Sequence, residues 1–155
     1  MSESSLYRPE IERIAEIHGL DPDMVEAIVR IESSGFTHAY RYEPDFWRRY
    51  LADNPDYKDR NPRRVSASYG LMQIMYPTAR ERGFSGEPEL LFVPVIGLKW
   101  GCRHLAWLAR LLGYPRAIGA WNGGVGGSRL PFRPDIARYV DRVQFQLQLI
   151  RQDTK

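Results

Sequence analysis

The chain has 155 residues, of which 43% are apolar, 12% aromatic and 26% charged. That length supports one domain with a real core, and the composition excludes a disordered or fibrous chain. With 22 basic and 19 acidic residues the net charge is +3, which gives no strong nucleic-acid signature and only a mild preference for anionic polymers.

The opening residues, "MSESSLYRPEIERIAEIHGL", lack the unbroken apolar run of a secretion signal, and no window reaches the length of a transmembrane helix. A monomer made in the cytoplasm, without membrane insertion, is the expectation. Helical periodicity dominates the chain from residue 9 onward. Residues 9–18 place Ile11, Ile14, Ala15 and His18 on one face, and Gly19 ends that helix. Asp21 or Asp23, with Pro22 in the first turn, starts a second helix that must stop by Gly35. A third short helix over residues 44–51 carries Phe46, Trp47 and Tyr50.

Residues 53–69 are turn-rich and charged, a long loop without a core-forming pattern. The segment leaves room for a small hairpin, and its position makes it a candidate lid. "PTARERG" predicts a further short helix. "VIGLKWGCRHLAWLARLLG" is the most apolar helix, central and buried, and Gly113 closes it. Cys102 lies inside it as an inert core thiol, and a lone cysteine excludes an intramolecular disulfide. "YPRAIGAWNGG" predicts another helix running into a Gly-rich loop at residues 123–127, and an amphipathic helix over residues 133–151 ends the chain. The sum is a single all-α (mainly α) domain over residues 1–155.

One residue breaks the pattern. In "MVEAIVRIESSGF", with about 100° per residue and Ile28 at zero, Val25 falls near +60° and Glu32 near +40°, inside the core-facing arc. Glu26 and Arg30 fall on the opposite, solvated side. Glu32 also lies in the last helical turn, where the macrodipole opposes negative charge. Desolvation and the dipole both favour its neutral form, as a general acid requires. The same position also suits a carboxylate that reaches solvent or pairs with an arginine such as Arg63. Likewise Met72, Ile74 and Met75 suit a core, and Trp121 suits a buried aromatic. His18, His38 and His104 show no metal-ligand spacing, and Cys102-x-His104 on a helix chelates poorly. No metal or cofactor is expected.

Further motifs accompany Glu32: "SASYGLMQIMYPTAR", "AIGAWNGGVGG" and "ARYVDRV". Together with "ESSGF" they resemble, in order, the soluble lytic transglycosylase family, lysozyme-like enzymes related to goose-type lysozyme. The resemblance covers roughly residues 21–143, and "GLMQI" is its most specific piece. It implies a lysozyme-like fold, Glu32 as the catalytic acid, and a sugar cleft lined by Ser33, Gly70, Gln73, Ile74, Met75, Trp121, Asn122 and Tyr139. The Tyr139 hydroxyl would orient Glu32. Where the family has Ala-Tyr-Asn, this chain has Ala120-Trp121-Asn122, so a phenol hydroxyl is missing while stacking on a sugar survives.

The implied reaction cleaves the MurNAc-β-1,4-GlcNAc bond of peptidoglycan, with 1,6-anhydroMurNAc as product and Glu32 as acid and then base. Two alternatives stay open. One is goose-type hydrolysis with a second carboxylate, for which Glu43 is the candidate. The other is a non-catalytic peptidoglycan-binding module. A nucleic-acid binder using Arg60, Arg63 and Arg64 is disfavoured, because the cluster is short. The expected partner is the glycan strand, reached after release through a holin or delivery by a virion or secretion machine, as for a phage endolysin.

Overall fold

The structure is a computed structural model that describes residues 6–153. Its helical half begins with α1 (Arg8–Ile17) and α2 (Pro22–Glu32). Asp21 caps α2: its side chain accepts a 2.9 Å hydrogen bond from the Asp23 N–H, and Pro22 fills the first turn, where no N–H is needed. The chain ends with α6 (Pro94–Leu112), α7 (Arg116–Gly127) and α8 (Pro134–Asp153). Helix α2 packs on α8 and α1, while α6 packs on α1 and α7. Their apolar stripes meet in one core that includes Ile11, Val25, Ile28, Leu98, Leu105, Ile118, Ile136 and Val143. Cys102 is buried there, and burial pushes its thiol up to about 12, so it is inert.

A smaller half lies between α2 and α6. It holds β1 (Tyr40–Tyr42), α3 (Pro44–Phe46) continuing into a π-helical turn (Trp47–Leu51), α4 (Pro62–Val65), β2 (Ala67–Tyr69), β3 (Ile74–Met75) and α5 (Tyr76–Glu81). A 3-10 turn (Pro88–Phe92) leads into α6. The strands form an antiparallel sheet in the order β1-β2-β3, with Tyr40 opposite Tyr69 and Tyr69 opposite Ile74. The mainly α, lysozyme-like expectation therefore holds, with a small sheet added.

The structure corrects four expectations. The hairpin is not confined to residues 53–69: only β2 lies there, paired with strands on either side of that segment. Asn61 instead caps a helical turn at Pro62, its side chain accepting from the Arg63 N–H at 3.0 Å. Nor is the segment a loose lid. Tyr57, Val65, Ala67 and Tyr69 are buried in a second core with Leu51, Ile74, Tyr76 and Leu91. Their turn-rich spacing hides this burial, since each apolar side chain enters from a different turn.

Glu26 is not on a solvated face. Only 4% exposed, it is held by Arg8 Nη1 at 3.1 Å and Arg30 Nη2 at 2.9 Å. Helix α2 is flanked by α1 and α8, and Arg30 also reaches Gln146 of α8, so two faces of α2 are covered. Finally, the glycine run at residues 123–127 is not an open loop. It continues α7 past a break at Gly124, whose φ of 75° is open to glycine at little cost.

Candidate active site

A cavity of about 490 Å³ opens between the two halves, with Glu32 on its wall. Helix α2 ends at Glu32 because Ser33 takes non-helical angles and Ser34 and Gly35 turn to positive φ. The carboxyl is half-buried. Desolvation raises its pKa above the ordinary carboxylate value, opposed by the Tyr139 hydrogen bond, the charge of Arg41, a weaker contribution from the Trp121 side chain, and Arg142. The Tyr139 hydroxyl, on α8, donates to Glu32 Oε2 at 2.7 Å. Arg63 does not pair with Glu32; its guanidinium lies over the Tyr42 ring.

The "GLMQI" segment docks on the end of α2. Ser33 Oγ donates to the Leu71 carbonyl at 2.7 Å, joining the two. Met72 enters the core against Gly101, where any Cβ would overlap its sulfur. Gln73, Ile74 and Met75 then line the cavity. Gln73 holds φ at +54°, and its Nε2 donates to the Ala39 and Gly70 carbonyls at 2.9 and 3.1 Å. Its amide hydrogens thus brace the wall, leaving the carbonyl oxygen as the polar group for a ligand. From α7 come Ala120, Trp121, Asn122, Gly123 and Gly124.

Three predicted residues do not line the cavity themselves: Ser33, Gly70 and Tyr139, the last of which meets the site through its hydrogen bond to Glu32. Ser33 serves the α2 junction, its oxygen also accepting from the Gly35 N–H. Gly70 is needed elsewhere: a Cβ there would lie 2.5 Å from the Leu91 carbonyl oxygen, so it allows one backbone to approach another, not a ligand. Glu43 does line the cavity, with its Oε1 paired to Arg41 Nε at 3.2 Å.

Sequence reasoning missed Arg41, Phe46, Tyr50, Ser68, Thr78 and His104, all of which line the same space. The i, i+4 pair of Phe46 and Tyr50 was the available signal. His104 stacks on Trp107 with centroids 5.9 Å apart, and its ring also meets Trp121 at 5.5 Å. Burial, aided by the charge of Arg82, pushes its pKa down to about 4, so it is neutral at physiological pH. Its Nδ1 is buried without a hydrogen-bond partner. The basic trio is absorbed into the fold: Arg64 pairs with Glu87 and Glu89, and Arg60 donates to the Tyr76 hydroxyl. Among the described residues no helix is long and apolar enough to cross a membrane, and no cluster of His, Cys, Asp or Glu is placed to hold a metal.

Comparison with known proteins places these features. The family model described as Transglycosylase SLT domain matches residues 10–135. Among solved structures, the chain is similar to an inactive mutant of the lytic transglycosylase Slt from Pseudomonas aeruginosa, with a TM-score of 0.72 and 20% identity. That match covers 96% of this chain and 24% of the other, so the chain spans about a quarter of that protein. No curated protein matches.

Proposed function

Because this chain belongs to the transglycosylase SLT-domain family, we propose that it cleaves the MurNAc-β-1,4-GlcNAc bond of peptidoglycan without consuming water. The setting of Glu32 supports this reading: a carboxyl with a raised pKa, on a cavity wall, held by a neutral phenol. The Tyr139 hydrogen bond occupies Oε2, which leaves Oε1 to carry the proton. That proton goes to the glycosidic oxygen as its bond to C1 of MurNAc breaks. The Glu32 carboxylate so formed then takes the proton of the MurNAc 6-hydroxyl while that oxygen bonds to C1, closing the 1,6-anhydro ring. The acid is restored in its starting form, and one carboxylate suffices.

Hydrolysis by either stereochemical route would need a second carboxylate to attack or to activate water. Glu43 is the one at hand, and Arg41 engages it. Mass spectrometry of muropeptides released from purified peptidoglycan tests the reading. Anhydro-terminated products, lost in Glu32→Gln and retained in Glu43→Gln, are expected. Reducing-end products that vanish with Glu43→Gln would make the protein a hydrolase instead.

A further inference from the structure

Phe46 and Tyr50 also face the cavity, although they come from a segment with no part in the proton transfers above. Their rings lie 4.8 Å apart at 52°, forming a tilted pair one helical turn apart. Tyr50 is 60% exposed, so its ring is open to a ligand in the cavity.

The fixing is done by the neighbours. Leu51 is 3% exposed and belongs to the second core, against which Phe46 and Trp47 also pack. Between them the backbone widens into a π turn, closed by the Ala52 N–H donating to the Trp47 carbonyl at 2.8 Å. Such turns recur at functional sites, because the extra residue re-aims side chains without unfolding the helix. Here one turn buries Leu51 and leaves Tyr50 in the open cavity.

We propose that Phe46 and Tyr50 form a saccharide-stacking subsite, on which the C–H face of an N-acetylhexosamine ring of the glycan strand rests. This inference rests on the glycan-cleaving reading and adds where a sugar is held. A pyranose ring is polar at its edge and apolar on its axial C–H face, so it suits an exposed aromatic surface beside hydrogen-bonding groups. Those groups are present on the same cavity: Ser68 from β2, Arg41 and Glu43 from the β1 segment, and Asn122 from α7. The subsite is continuous with the wall that carries Glu32, so one strand can occupy both.

Binding of the hexasaccharide of N-acetylglucosamine to Glu32→Gln protein, measured by calorimetry, separates the two ideas, since cleavage is then removed from the readout. Adding Tyr50→Ala is expected to weaken binding by roughly tenfold, with Tyr50→Trp restoring it. Because Tyr50 is largely exposed, an unchanged melting temperature should accompany the loss. Unaltered affinity in both Tyr50→Ala and Phe46→Ala would overturn the subsite while leaving the reaction standing. Failure of the Glu32→Gln protein itself to bind the glycan would overturn the reading on which the subsite depends, and the subsite with it.

Discussion

Tyr139 donates its hydroxyl hydrogen to Glu32 Oε2 at 2.7 Å across a sequence separation of 107 residues. The contact has two effects that oppose each other: it orients the acid, and it favours the charged carboxylate that burial disfavours. Tyr139→Phe is therefore expected to lower kcat by roughly tenfold through lost orientation. It should also raise the Glu32 pKa further, moving the alkaline limb of the rate profile to higher pH. Initial rates on peptidoglycan between pH 4 and pH 9 would show this, and a limb that stays in place would deny the coupling.

Glu32 should weaken the fold it serves. Its folded-state pKa lies above the ordinary value of 4.5, so the native state binds its proton more tightly than the unfolded chain does. That contribution is complete below the unfolded value and is lost as pH rises through the folded one. Glu32→Gln should therefore abolish cleavage yet stabilise the protein by about 1 kcal/mol at neutral pH. The gain should vanish below the unfolded carboxylate range, and thermal melts of both proteins at pH 8 and pH 4 would test it.

His104 carries the opposite sign. Its pKa falls from 6.5 to about 4 on folding, so the unfolded chain takes up a proton first as pH drops. Stability attached to the neutral ring is present above pH 6.5 and is lost progressively down to pH 4. Relative to His104→Phe, which keeps a flat ring beside Trp107 and Trp121, the parent should lose about 2 kcal/mol across that window. Urea unfolding at pH 7 and pH 4.5 would read the difference. Equal losses in both proteins would place the acid sensitivity elsewhere.

Two glycines separate backbone conformation from steric contact. Gly70 and Gly113 both hold φ near +70°, but only Gly70 has an atom in the way, the Leu91 carbonyl oxygen. Gly113→Ala should cost about 1 kcal/mol, the conformational penalty alone. Gly70→Ala should cost about 3 kcal/mol or more, because a fixed backbone must shift. Comparable denaturation midpoints for the two variants would contradict the close approach.

Helices were legible where the apolar period was strong: α2 with its Asp21 cap, the long α6, and α8. Glu32 was legible for the same reason, as an acid on an apolar stripe. The second core was not. Tyr57, Val65 and Tyr69 are each presented by a separate turn or strand, so no repeating interval marks them. Glu26 was misread because one helix in isolation cannot show how many neighbours will cover it. Arg8 and Gln146 lie far along the chain from the α2 residues they meet.

The sequence by itself determined the chain's helical character, the position of the candidate acid and the family motifs, since all three depend on residues close together in the chain. Only the tertiary structure decided which residues meet at the cavity. It diverted Ser33 and Gly70 to joints between backbone segments, turned the Gln73 amide hydrogens inward, and brought Phe46, Tyr50 and His104 to the wall. Local periodicity says which side of an element is apolar, but a cavity is made where elements distant in sequence fail to fill the space between them. That depends on how the helical half and the sheet half pack together.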